Sequence, residues 1–253
     1  MVSVATLKWI HALSQKKQRD EQGLFVAEGH KTIGELLPFF HCKIVLTTEE
    51  QWQLHPLKLS IETQLIKASL SAVERASAQI TPQGMVAVFE KPGQDEKLLP
   101  LSSGLYLALD GVQNPGNLGT IIRLADWFGI HQIFCSFDSA DVYNPKTVQA
   151  TMGSLGRVRV TYADLIELIM INKDHLPVFG TFLEGDSLFS VSLPKDALVV
   201  LGNEGNGISQ HVKVCIKHSL MIPSFPIGAM TTESLNVATA AAIICAEFRR
   251  TAF

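Results

Sequence analysis

Apolar residues at positions 4, 7, 10 and 13 open the chain, and that spacing predicts a helix over Ser3–Gln15 with one buried stripe. A short apolar run at Leu24–Ala27 predicts a strand. Thr32–Leu37 predicts a helix stopped by Pro38, whose ring cannot continue it. Further strands are expected at Lys43–Leu46 and Met85–Phe89, and Ser71-Ala-Val-Glu74 between them has capping-box spacing. Over Lys91–Gly104, Pro, Gly, Ser and charged residues replace periodicity, which reads as a linker. Beyond it, apolar runs near 105–109, 132–136, 158–161, 177–182, 197–201 and 219–222 alternate with helical segments. Alternation of this kind implies an α/β fold with a mostly parallel sheet and helices on both faces. The expected division is a small α/β domain at 1–92, a linker at 93–103 and a larger α/β domain at 104–253.

Three strand-to-loop-to-helix junctions in the larger domain carry unusual polar residues. In the first, the apolar run Leu105–Leu109 enters a loop rich in Asn and Gly, and an amphipathic segment, Leu118–Phe128, follows. Asn117 stands where a helix N-cap is expected, and Arg123 lies about a turn and a half into the helix. In the second, Leu198–Leu201 runs into Gly202-Asn-Glu-Gly-Asn-Gly207, which places Glu204 among three glycines. A phosphate cradle would not centre on a carboxylate, because like charges repel, and the spacing fits a dinucleotide fingerprint only loosely. In the third, Leu220-Met-Ile-Pro223 leads through a loop to Ser234-Leu-Asn-Val237 and an Ala-rich helix, with Ser234 read as its cap. Polar groups at the carboxyl edge of a parallel sheet are where open α/β folds hold ligands.

In this order the junctions resemble the three motifs of the SpoU (TrmH) branch of the SPOUT RNA methyltransferases. The first motif, Asn-Pro-x-Asn-x-Gly-x-x-x-Arg, matches Asn114 to Arg123; the second, Gly-x-Glu-x-x-Gly, matches Gly202 to Gly207; the third matches Ile222-Pro223 and Ser234 to Val237. The loop between Pro223 and Ser234 is several residues longer than the family's. The resemblance implies a deep trefoil knot in the second domain, a homodimer through that domain, and transfer of a methyl group from S-adenosylmethionine to a ribose 2′-hydroxyl of RNA. It implies that Arg123, Asn117, Glu204, Ser234 and Asn236 serve the chemistry. It implies a cofactor cleft built from Leu201, Gly202, Asn203, Gly207, Ile222, Pro223, Leu235 and Asn236. It further implies that the first domain, through a pattern like Gly23-Leu-Phe-Val-Ala-Glu28-Gly29, belongs to an RNA-gripping module similar to certain ribosomal proteins. From the residues alone, Glu28 and Gly29 read as a strand end before a helix.

Composition narrows the remaining choices. A chain of 253 residues, 47% hydrophobic and 18% charged, can build two modest cores. A net charge of −3 is not that of an indiscriminate nucleic-acid binder, so RNA affinity has to come from local patches. The basic clusters are Lys16, Lys17, Arg19 and Lys31 in the first domain, and Lys146, Arg157 and Arg159 in the second. Cys42, Cys135, Cys215 and Cys245 are scattered, without metal or disulfide spacing, which suits a cytoplasmic protein. No signal peptide, membrane span or metal site is expected. Ribosomal RNA is the expected substrate class, with transfer RNA second. A non-catalytic RNA-binding or ribosome-assembly factor that keeps the fold is the competing reading, and a base methyltransferase and a nicotinamide-nucleotide binder are weaker ones.

Overall fold

A computed structural model describes residues 2–93, 98–226 and 232–250. The chain divides into two compact units, Met1–Gln94 with Asp141–Arg157, and Asp95–Ala140 with Val158–Phe253.

The first unit runs α1 (Val4–Ala12), α2 (Lys16–Gln22), β1 (Leu24–Glu28), α3 (His30–Leu36), β2 (Cys42–Thr47), α4 (Glu49–Leu54), β3 (Gln64–Lys67), α5 (Leu70–Ala76) and β4 (Met85–Glu90). Its mixed sheet has the order β1-β4-β2-β3, with β4 antiparallel to both neighbours and β2 parallel to β3. Side chains alternate across the pleat. Leu24, Val26, Val86 and Val88 pack one face against Leu7, Ile10 and Leu13 of the first helix and turn, and against Val73 and Ala76 of α5. Phe25 and Phe89 stack on the other face at 5.4 Å, with Phe40 edge-on to Phe25 at 5.2 Å. Tyr143 joins this cluster, its ring 4.9 Å from Phe25. It comes from Asp141–Arg157, a segment that holds α7 (Pro145–Thr151) and packs in the first unit although the chain enters and leaves it from the second.

Two polar groups anchor this unit from inside. Arg19 is 1% exposed; it bonds the Asp141 carboxylate and donates to the carbonyls of Leu13 at 2.9 Å and Ser14 at 2.7 Å. The basic cluster expected around it is therefore not an open cationic patch: Arg19 is core, and Lys16 and Lys17 pair with Asp20 and Glu21 along the helix. Lys91 also reaches Asp20, and Arg157 pairs with Glu35.

Glu28 ends β1 buried, accepting from the Ser77 hydroxyl and, at 2.8 Å, from the Ala78 N–H. Gly29 follows at φ +83° and starts α3. These two residues are structural, in line with their reading as a strand end. Burial pushes the Glu28 carboxyl above its ordinary value of 4.5, while the Ser77 and Ala78 bonds oppose the shift. A group whose folded pKa is raised gives its full contribution below its unfolded pKa and loses it as pH rises through the folded one. Glu28→Gln should therefore gain thermal stability relative to the parent as pH climbs from 4.5 toward neutrality, read as the difference in Tm across that window. A difference independent of pH would show that Glu28 is not held this way.

The second unit runs β5 (Leu105–Leu109), α6 (Pro115–Trp127), β6 (Gln132–Cys135), β7 (Arg159–Tyr162), α8 (Leu165–Asn172), β8 (Val178–Ser187), β9 (Ala197–Leu201), α9 (Gln210–Lys213), β10 (His218–Met221) and α10 (Val237–Arg250). Its six strands are all parallel, in the order β10-β8-β9-β5-β6-β7. Every residue of β9 is buried, so both faces of the sheet centre are shielded. Ala108, Phe134, Leu198 and Val200 pack with Leu165, Leu168 and Ile169 of α8 and Val212 of α9. Helix α6 packs against α10.

Several boundaries move from the sequence expectations. Helix α6 starts three residues earlier than expected, with Asn114 as N-cap and Pro115 at the first position, where a missing N–H costs nothing. Helix α5 likewise starts after Ser69, so Ser71 lies inside it.

Candidate active site at the carboxyl edge of the parallel sheet

Strands β5 and β9 lie side by side, and their last residues, Leu109 and Leu201, are register partners. The chain order reverses here: β6 and β7 extend the sheet to one side of β5, and β9, β8 and β10 to the other. Such a switch point leaves a crevice at the carboxyl ends of the strands. The loops after β5 and β9 are stitched together across it. The Asp110 N–H donates to the Leu201 carbonyl at 2.8 Å, the Asp110 carboxylate accepts from the Ser209 N–H at 2.7 Å, and the Asn203 amide donates to the Gly111 carbonyl at 2.7 Å.

The loop after β9 is a closed turn. Asn203 and Gly207 exchange backbone bonds of 3.0 and 2.9 Å, and the Asn203 side-chain oxygen accepts from the N–H groups of Gly205 and Asn206. Gly207 sits at φ +67°, and a Cβ on Gly202 would lie 2.2 Å from the Gly207 carbonyl carbon, so both glycines are required by the turn itself. The turn holds Glu204 at its tip, and the Glu204 carboxylate accepts from the Asn117 amide.

That bond starts a chain through all three junctions. A carboxylate only accepts, so Asn117 must turn its NH₂ toward Glu204 and its carbonyl oxygen away. The oxygen accepts from the Asn236 amide at 3.1 Å. The Asn236 oxygen in turn accepts from the first N–H groups of α10, Ala238 at 3.0 Å and Thr239 at 3.3 Å. Each amide has one orientation that satisfies both neighbours, so the direction of the chain is fixed. Asn117 is thus the central link and not a helix cap, because Asn114 caps α6 by accepting from Gly116 at 2.8 Å and Asn117 at 3.2 Å. Asn236, and not Ser234, accepts from the α10 N-terminus. At the other end of the pair, Arg249 of α10 donates to the Phe128 carbonyl at 2.9 Å, so α6 and α10 run parallel, tied at both ends.

The other expected site residues distribute as follows. Arg123 is exposed on α6 and makes no hydrogen bond or ion pair among the described residues; Glu204 is engaged with Asn117 and not with it. The Leu201 side chain is core, 1% exposed, which leaves its backbone at the edge. Ile222 and Pro223 are half-buried just past β10, and Ser234 and Leu235 are exposed just before α10. Residues 227–231 of the long third loop lie outside the described residues.

Sequence reasoning missed one element of this edge. Strand β8 lies between β9 and β10, but its ladder to β9 covers only Val178–Gly180, and its pairing to β10 jumps from Gly180 to Asp186. The stretch Thr181–Gly185 therefore bulges opposite the Ser219–Leu220 step of β10, with Gly185 against Ser219. Only the strand pairing reveals this, and strand pairing leaves no local signal in a sequence.

The class is thus an α/β fold whose polar crevice at a topological switch point is assembled from three distant junctions. The chain belongs to the SpoU rRNA Methylase family, which matches residues 104–246, and an MRM3-like substrate binding domain matches residues 5–87. A curated relative is the 23S rRNA (guanosine(2553)-2′-O)-methyltransferase RlmP of Bacillus subtilis, 29% identical over 239 residues, covering 94% of this chain and 93% of that one. Among solved structures, a TrmH-family protein from Porphyromonas gingivalis is 40% identical with a TM-score of 0.88 and 99% of both chains covered. The SpoU methyltransferase AviRb from Streptomyces viridochromogenes, in complex with AdoMet, is 25% identical with a TM-score of 0.83, covering 99% of this chain and 98% of that one.

Proposed function

We propose that the chain transfers a methyl group from S-adenosylmethionine to a ribose 2′-hydroxyl of ribosomal RNA. The observation that carries this reading is the Glu204–Asn117–Asn236 chain, which joins the three family motifs at one sheet edge. The residues present suit the cofactor: the Gly202 and Gly207 backbone is free of side chains, Ile222, Pro223 and Leu235 offer apolar surface, and no cationic phosphate-binding cluster stands among them. Leu201, Gly202, Asn203 and Gly207 would hold it through backbone groups, Ile222, Pro223 and Leu235 through apolar contact, with Asn236 beside them. When bound, S-adenosylmethionine supplies a methyl group already activated by its sulfonium.

The protein's own task is to place the hydroxyl in line, exclude water and manage its proton. Arg123 is our choice for the acceptor side. A guanidinium with a pKa above about 12 is a poor base but a good partner for a phosphate and for charge developing on an oxygen. Its lack of a partner among the described residues leaves it available for RNA. Asn117, locked by Glu204 and Asn236, is a rigid post six residues earlier on the same helix, and Ser234 stands at the entry to α10 to accept or relay the proton.

We further propose the family's deep trefoil knot, with helices on both faces of the sheet, and a homodimer through the second unit. Trp127, 84% exposed at the end of α6, and the small residues of α10 support such a contact. The free cysteines fit a cytosolic setting. No helix among the described residues is long and apolar enough to cross a membrane. The test is incubation with S-adenosylmethionine labelled in its methyl group and unmodified large-subunit ribosomal RNA, followed by mapping of positions resistant to alkaline hydrolysis. Label in a base, or none in RNA despite bound cofactor, would overturn the reading; the second result would leave an assembly factor.

A further inference from the structure

Resting on that reading of the chain as an RNA-directed enzyme, the first unit offers a groove suited to part of the RNA. A groove of about 600 Å³ runs beside α3. One wall is the stripe Gly34, Leu37 and Pro38; the other is the irregular segment Pro56–Ser60 after α4. The walls approach closely, since a Cβ on Gly34 would lie 3.4 Å from the Leu57 side chain. His30 lies one turn before Gly34, and His55 directly precedes Pro56. Their rings stack on each other at 3.6 Å with 8° between planes, and the aromatic residues that line the groove itself are Phe40 and His41.

The charge around the groove is positive. Five lysines of this unit pair with carboxylates, while Lys8, Lys146, Lys31 beside His30 and Lys58 in the groove wall make no ion pair among the described residues. Of the nearby carboxylates, Glu35 pairs with Arg157, and Glu62 lies 3.7 Å from the His41 ring. A largely apolar slot, with Phe40 and His41 in its lining and unmatched cations near it, is complementary to a flat base carrying a phosphate. Unpaired RNA is held by stacking of this kind together with backbone charge contacts.

We infer that this groove takes up an unpaired nucleotide of the substrate RNA, with its base against Leu37, Pro38 and Leu59, beyond the Gly34–Leu57 contact, and its phosphate at Lys58. The substrate binding domain matched at residues 5–87 contains every residue involved.

The test uses the full chain and large-subunit ribosomal RNA transcribed in vitro. Lys58→Glu reverses the rim charge, and Gly34→Leu fills the slot without weakening the helix. Each should raise KM for RNA about tenfold, the loss expected for one stacked or phosphate-bound nucleotide, with kcat at saturating RNA and affinity for S-adenosylmethionine unchanged. RNA carrying 4-thiouridine should photo-crosslink to the peptide containing His55–Ser60, and less so in Gly34→Leu. If Gly34→Leu fails to fold, Lys58→Glu still decides. A parental KM in Lys58→Glu, or crosslinks confined to other peptides, overturns the groove while leaving the methyltransferase reading intact. Absence of methyl transfer by the parent itself overturns that reading instead.

Discussion

Replacing Arg123 with alanine is expected to lower methyl transfer by about 100- to 1,000-fold, the loss typical of removing one group that stabilises charge only in the transition state. The fold should not notice. Arg123 is exposed and bonds nothing among the described residues, and substitutions at such positions usually change stability by less than about 0.5 kcal/mol. Binding of S-adenosylmethionine should also be preserved, because the residues proposed to hold it lie on the loops after β9 and β10. Calorimetric titration of the cofactor and single-turnover transfer to RNA separate these effects. Lysine at the same position keeps a charge but loses the planar fork, so Arg123→Lys should recover only part of the rate. Parental turnover in Arg123→Ala would remove it from the mechanism and shift attention to Ser234.

The second large effect is on stability. Arg19→Ala leaves the Asp141 carboxylate, 13% exposed, without its partner, and leaves the carbonyls of Leu13 and Ser14 without their donor. Breaking a buried pair from one side typically costs about 3–5 kcal/mol, because the remaining charge stays in a poor solvent. Chemical denaturation followed by circular dichroism should show this loss, with Arg19→Lys intermediate. Replacing both partners by apolar residues of similar volume should restore most of it, because the orphaned charge is then gone. A loss below about 1 kcal/mol in Arg19→Ala would place the pair among surface ion pairs.

Legibility in the sequence was uneven, for physical reasons. Strands buried on both faces, such as Leu105–Leu109 and Ala197–Leu201, stand out as short apolar runs and were placed correctly. The three junctions were readable because Asn, Gly and Pro in fixed order serve specific backbone needs. Short polar helices were not: Lys16–Gln22 and Glu49–Leu54 have no apolar stripe to give a period, and β3, at the edge of its sheet, has little burial to pattern it. Capping was misassigned at Asn117 and Ser234 because several Asn and Ser stand within three residues of each helix start, and only the bonds distinguish a cap from a link. Charge misled most. Lys16, Lys17 and Arg19 look like a basic patch along the chain, yet an Asp 122 residues away from Arg19 and acidic neighbours one turn along the helix absorb them. Long-range pairing cannot be read from neighbours in sequence.

The placement of Asp141–Arg157 has an evolutionary consequence. The backbone passes between the two units three times, so the amino-terminal module is not a bead on a single string. A recombination event that exchanged only the residues before the linker would hand the recipient Phe25 and Arg19 without Tyr143 and Asp141. New target preferences in this lineage should therefore arise by point changes on an inherited scaffold, or by joint transfer of both pieces, and seldom by swapping the front end alone.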